Sequence, residues 1–195
     1  MGYSITSSND NCYPNTNVLI NKLGIKNQKQ LDENEILITS IKSLEIELNS
    51  KIQEPNFEYY CNLHYLLFNE IYDWAGKLRT INVSKLKTVF CPHEQIESMA
   101  ISIFKRLKEM DYFKNCNKSE LICEFADLYN SLNYLHPFRE GNGRVERLYF
   151  IQLAQWINRK LDFSKIDSDR MMIATIHASA GTMDYLESIF AEALE

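Results

Sequence analysis

His136-Pro137-Phe138-Arg139-Glu140-Gly141-Asn142-Gly143-Arg144-Val145-Glu146-Arg147 is the stretch on which the reading of this chain turns. It brings a titratable imidazole, a carboxylate, a glycine-flanked turn and two forked cations into one short run. Pro137 disfavours a continuing helix and restricts His136 to extended geometry, which predicts an imidazole in a loop just past a helix end. With a reference pKa of about 6.5, that ring can accept a proton from a hydroxyl near neutrality. Phe138 is expected to bury its ring and pin the loop.

Glu140 supplies hard carboxylate oxygen, and magnesium carried on phosphates needs only one or two such protein ligands. Gly141-Asn142-Gly143 permits positive φ and close backbone approach. Successive N–H groups in such a turn form an anion-binding nest, and a helix starting there adds a positive partial charge. Arg144 and Arg147 share one helical face, each with a planar fork suited to phosphate oxygens. Taken singly, His-Pro reads as a turn, Gly-Asn-Gly as a loop and the two arginines as a solvated face. In this order and spacing they predict an enzyme that holds a nucleotide's phosphates and moves part of it onto a hydroxyl.

Outward from the motif the pattern is helical. Residues 144–157 are apolar nearly all round (Leu148, Tyr149, Phe150, Ile151, Leu153, Ala154, Trp156, Ile157), as expected of a helix in the middle of a bundle. Upstream, Leu121, Ile122, Phe125, Leu128, Tyr129 and Leu132 predict the helix that delivers the chain to His136, with Ser119 as its N-cap. Ile96 to Met110 reads as helix, as do Phe57 to Trp74, ending at Gly76, and Leu31 to Lys51, where Ile36, Leu37, Ile41, Leu44 and Leu48 recur at helical spacing. Two more helices are expected over 168–180 and 184–194. Thr80 to Phe90 alternates loosely and predicts a short β-hairpin. The fold class is therefore mainly α: a helical bundle around a buried central helix, with a small hairpin beside the motif loop. The 195 residues are read as a single domain, 1–195, with polar residues 1–16 as a loose arm.

Lys plus Arg number 21 against 26 Asp plus Glu, a net charge of −5, which argues against a general nucleic-acid binder. Cys12, Cys61, Cys91, Cys116 and Cys123 are odd in number and form no Cys-x-x-Cys pair, which fits reduced thiols in a cytoplasmic protein. Cys123 is expected in the core, and Cys91 near the surface. No long apolar span suggests a membrane segment. His64 and His93 are read as structural, His177 in a late helix gives no signal, and no His-x-x-x-His pair or Walker-type loop exists.

The motif resembles that of the Fic family, His-x-Phe-x-(Asp/Glu)-Gly-Asn-Gly-Arg-x-x-Arg, at every fixed position. Leu63-His64-Tyr65-Leu66-Leu67-Phe68-Asn69-Glu70-Ile71-Tyr72-Asp73-Trp74-Ala75-Gly76 resembles the helix and turn before the family's hairpin flap, and Leu78 to Lys85 the flap itself. Tyr13-Pro14-Asn15-Thr16-Asn17-Val18-Leu19 and Asn21-Lys22-Leu23-Gly24-Ile25 are similar to the N-terminal segment of one subgroup. The resemblance implies a protein adenylyltransferase, which moves AMP from ATP onto a Tyr, Thr or Ser hydroxyl of a target protein with Mg2+. It implies His136 as general base and Glu140 as magnesium ligand. Gly141, Asn142, Gly143 and Arg144 would hold the α- and β-phosphates. Arg147 would reach the γ-phosphate or an inhibitory glutamate. The flap segment Ser84, Lys85, Leu86, Lys87, Thr88, Val89 and Phe90 would dock the target by strand addition.

Many Fic proteins carry a Ser/Thr-x-x-x-Glu-Gly/Asn helix whose Glu competes for the second motif arginine. Here Ser43 to Glu47 is followed by Leu48, and Ser188 to Glu192 by Ala193, so neither completes that pattern. The resemblance then implies a toxin held off by a small antitoxin chain that supplies the glutamate. The rivals are phosphoryl transfer as in Doc toxins, whose motif has Lys where this chain has Gly143; another nucleotide donor or removal of AMP; and a silent scaffold that only binds partners.

Overall fold

The computed structural model of the chain describes residues 4–5, 11–49, 53–85 and 88–195. Among these, seven α-helices run in the order α1 (Gln28–Asn49), α2 (Phe57–Phe68), α3 (Ile96–Glu109), α4 (Lys118–Leu135), α5 (Asn142–Trp156), α6 (Ser168–Ser179) and α7 (Asp184–Ala193). The central helix is α5, as its all-round apolar sequence predicts: Val145, Leu148, Tyr149, Phe150, Leu153 and Ala154 are all buried. Phe125 of α4, Phe150 of α5 and Phe190 of α7 meet with ring centroids 5.3–5.6 Å apart. Each such pair contributes about 0.5–1.5 kcal/mol beyond the burial of its area. On the opposite side Tyr59 of α2 donates to the Gln152 side chain at 3.0 Å, and the Tyr149 hydroxyl donates to the Pro55 carbonyl at 2.6 Å. The polar ends of these large rings are thereby satisfied inside the bundle.

Helix ends follow local chemistry, with three departures from expectation. The N-cap of α4 is Asn117, not Ser119; its side chain accepts from Glu120 N–H while the Glu120 carboxylate accepts from Asn117 N–H. That reciprocal box satisfies two orphan donors, more than Ser119 could from its place within the first turn. Helix α2 stops at Phe68, six residues before Trp74, because the Phe68 carbonyl accepts from both Ile71 and Tyr72 N–H and closes the chain into turns. The turn ends at Gly76, φ +76°, where a Cβ would lie 2.9 Å from Tyr65 Cβ.

The third departure concerns α1. Its buried positions are Leu31, Glu35, Thr39 and Ile46, whereas Ile36, Leu37, Ile41, Leu44 and Leu48 face outward at 49–80% exposure. The periodicity marks a helix correctly, but its apolar stripe is not the stripe that meets this chain's core.

Strands β1 (Ser4–Ile5), β2 (Val83–Lys85) and β3 (Thr88–Val89) form an antiparallel sheet in the order β1-β2-β3, with Ser4 opposite Ser84 and Ser84 opposite Val89. The expected hairpin is present, and Leu86 and Lys87 at its tip lie outside the described residues. Within the stretch expected to be a loose arm, Ser4–Ile5 pair with the hairpin, and Cys12 is buried and bridged to Leu19. Ile81, Val83 and Phe90 form a small apolar cluster under the hairpin, separate from the main core. All five cysteines are free; Cys91 is buried and Cys123 exposed, the reverse of expectation. Among the described residues no helix is long and apolar enough to cross a membrane.

Candidate active site

Helix α4 ends at His136, whose N–H bonds the Leu132 carbonyl and whose backbone is left-handed (φ 42°, ψ 59°) rather than extended. A non-glycine residue held there is strained by roughly 1–3 kcal/mol and persists only when its surroundings over-determine it. They do so here through Arg79. The Arg79 Nε donates to the His136 carbonyl at 2.7 Å, its Nη atoms donate to the carbonyls of Ile81, Cys91 and Leu135, and its own N–H bonds the Pro137 carbonyl. One buried guanidinium thus ties the base of the hairpin to the backbone on either side of the His-Pro bond. The His136 Nδ1 lies 3.2 Å from the Asn133 carbonyl, which can only accept. Nδ1 therefore carries the proton of the neutral ring, and Nε2 is its basic nitrogen.

The loop from Phe138 to Asn142 is pinned from within and below. Phe138 is fully buried and stacks on His64 at 3.8 Å and on Tyr60 at 5.7 Å. His64 is not a ligand: its Nε2 meets the Glu140 carbonyl at 3.0 Å, and its Nδ1 accepts from Gly76 N–H at 2.8 Å. Burial pushes its pKa down to about 3, so it stays neutral and keeps that tautomer. Asn142 turns inward, its Oδ1 accepting from Phe138 N–H and its Nδ2 donating to the Phe138 carbonyl. Its side chain closes the loop, and the residue is fully buried.

Gly141 is the N-cap of α5 at φ +79°, and a Cβ there would fall 2.2 Å from Phe68 Cζ. Gly143, by contrast, lies in the first turn without positive φ, and its Cβ would meet only Arg147 Nη1 at 3.6 Å. No steric demand therefore imposes glycine at 143; its bareness leaves its own N–H in the first turn of α5 facing the cavity, whereas Asn142 is fully buried and Arg144 N–H bonds the Gly141 carbonyl at 3.1 Å.

Two cavities meet at this helix end. One, of about 310 Å3, is lined by Phe90, Tyr129, His136, Gly143, Arg147 and the α6 residues from Ser168 to Ile176. The other, of about 290 Å3, lies between α1 and α5 and is lined by Ile36, Ser43, Leu148, Arg144 and Arg147 among others. His136, Gly143 and Arg147 are thus brought together, while Arg144 lies on the α1 side and Arg147 borders both. Arg144 Nη2 is 2.6 Å from Glu35 Oε2 and 3.6 Å from Glu140 Oε1, with its Cζ 4.7 Å over the Phe68 ring. Glu140 accepts from Gly141 N–H at 2.9 Å. No group of three or more His, Cys, Asp or Glu able to hold a metal occurs among the described residues. One motif carboxylate, Glu140, beside the first turn of α5 is the donor set that suits magnesium carried on phosphates rather than an all-protein cage.

Of the flap residues, Thr88 lines the larger cavity, Val89 is 73% exposed and Phe90 is buried against the His136 ring. Ser84 is half-buried in β2 beside Lys85. His93 N–H donates to the Asn82 side chain at 2.8 Å, and His177 stacks on Tyr185 at 4.2 Å. Sequence reasoning missed Glu35, Tyr72, Arg79 and Glu146. Glu146 is the least expected: it is buried, lines the larger cavity, has an Oε1 without a hydrogen-bond partner, and is raised by burial to about 8. Neither Glu146, between Val145 and Arg147, nor Arg79, between Leu78 and Thr80, stands out from its polar and charged neighbours in the sequence.

The Fic/DOC family pattern matches residues 54–154. The chain is 33% identical over 173 residues to the protein y4lH of Sinorhizobium fredii, covering 88% of each chain. It is 32% identical over 176 residues to the protein adenylyltransferase VbhT of Bartonella schoenbuchensis, covering 90% of this chain but only 37% of that one. Among solved structures it superposes on the BepC protein of Bartonella tribocorum with bound AMPPNP, at 25% identity and a TM-score of 0.89, over 96% of this chain and 97% of that one. The matched range spans the whole of the His136 to Arg147 stretch, and the chain belongs to the Fic/DOC family.

Proposed function

We propose that this chain is a protein adenylyltransferase acting on a Tyr, Thr or Ser hydroxyl. The observation that carries the proposal is the shared cavity, in which His136, with Nε2 as its basic nitrogen, is set beside Gly143 in the first turn of α5 and Arg147. Support comes from VbhT, named a protein adenylyltransferase, and from the AMPPNP held by BepC. His136 takes the proton of the target hydroxyl, whose oxygen attacks the α-phosphorus of ATP. The bond from that phosphorus to the bridging oxygen breaks, and pyrophosphate leaves. The N–H of Gly143 holds a phosphate oxygen, and Arg144 and Arg147 balance the charge of the leaving group. Glu140 would hold Mg2+, which when bound neutralises phosphate charge. Gly143 favours AMP transfer over phosphoryl transfer, because a longer side chain at that position would cover the nest.

The target is proposed to add as a strand to β3, an edge strand of the described sheet, which would bring its hydroxyl toward His136. A small antitoxin is proposed as regulator. Its support is the apolar stripe of α1 together with the cavity that runs from Ile36 to Arg147. Neither internal glutamate serves instead: Glu47 bonds Ser43, and Glu192 pairs with Arg170 at 2.6 Å. Free thiols and dependence on ATP suit the cytoplasm.

The test is purified chain with magnesium and lysate, using ATP labelled at the α- or the γ-phosphate, with His136→Ala alongside. Label from the α-position on a protein band, lost in the variant, is expected. Label from the γ-position alone would make the chain a kinase and overturn the proposal.

A further inference from the structure

Glu35 lies on α1, 109 residues from the arginine it pairs with and outside the motif altogether. It is buried, although α1 carries few other inward residues and exposes its apolar ones. Its Oε2 accepts from Arg144 Nη2 at 2.6 Å, and its Oε1 accepts from the buried Tyr72 hydroxyl. Burial, and then Glu35 itself, raise the Tyr72 phenol, so it remains a donor. Tyr72 is in turn stacked on Trp74 at 4.2 Å. Below the guanidinium plane the Phe68 ring fixes its height, with Cζ 4.7 Å from the centroid.

A buried ion pair of this kind is weak as a source of stability, because desolvation offsets most of its attraction. Its geometric effect is larger. An arginine has four rotatable side-chain torsions and five N–H donors in one plane. Binding one edge of that plane to a carboxylate that cannot itself move, and seating its face on a ring, leaves the remaining donors in one orientation before any ligand arrives. Preorganised donors of this kind stabilise developing charge without reorganising at the moment of reaction.

We propose that Glu35, locked by Tyr72, is a positioning residue that holds Arg144 in its phosphate-binding orientation. This rests on the adenylyltransferase reading for the identity of the phosphates, but not for the coupling between the two side chains. The pair also joins α1, which carries the exposed stripe, directly to the reactive end of α5.

The test compares wild type, Glu35→Leu, Glu35→Gln, Arg144→Ala and the double variant Glu35→Leu/Arg144→Ala. Two readouts are taken: transfer of α-label to lysate protein at saturating ATP, and the Kd of mant-ATP with magnesium. Glu35→Leu is expected to lower the transfer rate about 10- to 100-fold. Its mant-ATP Kd should change by less than about threefold, because the charge of Arg144 remains and only its orientation is lost. Glu35→Gln should recover part of the rate, since its carbonyl can still accept from Arg144. In the Arg144→Ala background Glu35→Leu should add less than about a twofold loss, as expected when two residues act through one another. Unchanged transfer by folded Glu35→Leu, or losses that simply multiply in the double variant, would overturn the positioning role. Should wild type transfer no α-label, the adenylyltransferase reading fails. The mant-ATP titration then decides: a Glu35→Leu loss above about threefold that persists in the Arg144→Ala background refutes the coupling, and a Glu35→Leu change below about threefold, or one that Arg144→Ala abolishes, sustains it.

Discussion

The Phe90 ring lies parallel to the His136 imidazole, with centroids 3.6 Å apart and planes 10° from parallel. The hairpin and the reactive ring are therefore one packed unit: Phe90 anchors in the small cluster with Ile81 and Val83 while covering one face of His136. Phe90→Leu keeps an apolar side chain, somewhat smaller, and loses the flat face. The burial given up in this small cluster costs on the order of 1–2 kcal/mol of stability. The expected result is a Tm within a few degrees of wild type and roughly a tenfold loss of label transfer. Unchanged transfer would show that the stack does not orient the imidazole.

Arg79 satisfies four backbone carbonyls at once, including that of the strained His136. Lysine keeps the charge but cannot reach four acceptors from one ammonium group. Each buried carbonyl left without a donor costs about 1–3 kcal/mol. Arg79→Lys should lower the urea midpoint and reduce transfer at least tenfold without touching a phosphate-binding group; a midpoint equal to wild type would contradict the account.

Burial raises the Glu146 carboxyl to about 8, from an ordinary value of 4.5. Between those values the folded chain retains a proton that the unfolded chain has released. Stability from this group is therefore full below pH 4.5 and is lost as pH rises through 8, at roughly 1.4 kcal/mol per unit at most. Glu146→Gln mimics the protonated carboxyl. Thermal melts at pH 5, 7 and 8.5 should show the variant gaining on wild type as pH rises. A Tm difference independent of pH would mean the carboxyl is ionised in the fold.

Gly141 and Gly143 should separate cleanly. Gly141→Ala places a Cβ at 2.2 Å from the Phe68 ring at positive φ, and should destabilise the chain by several kcal/mol. Gly143→Ala meets only ordinary contact, so its melt should match or exceed wild type, alanine being the better helix former by about 1 kcal/mol. Its loss should appear in transfer alone. Equal melts for the two variants would count against the reading of the turn.

The exposed α1 residues give a fifth contrast. Leu37→Ser and Leu44→Ser remove apolar surface that the chain's own core does not use. They should leave the melt within about 0.5 kcal/mol of wild type. If α1 is the seat of an antitoxin, they should weaken inhibition by a co-expressed small partner, measured as recovered label transfer.

The sequence carried the motif legibly because its chemistry is local: His136, Glu140, Gly141 and the arginines lie within one loop and two helical turns. The central helix was legible for a similar reason, since Leu148 to Trp156 is apolar in every direction. What stayed hidden depends on contacts distant in sequence. Nothing near Glu35 marks it out from its acidic neighbours Asp32 and Glu33, and only the fold shows it beneath Arg144. The face of α1 was misread because periodicity reports that a helix has an apolar side, not which partner covers it. The left-handed His136 overrode the extended preference before proline because Arg79, a tertiary contact, holds the carbonyl in place. Asn117 outdid Ser119 as a cap through a reciprocal bond that depends on helix register.

His64, Arg79 and Glu35 each grip the reactive loop from a different segment, and none belongs to the twelve-residue signature. Transplanting that signature into another helical scaffold would carry the reagents without their jig. On the positioning role proposed for Glu35, a homologue that retains every signature position but has lost these three supports is expected to look intact in an alignment and to transfer label slowly. Inactive relatives are better sought by inspecting residues equivalent to 35, 64 and 79 than by rereading the signature.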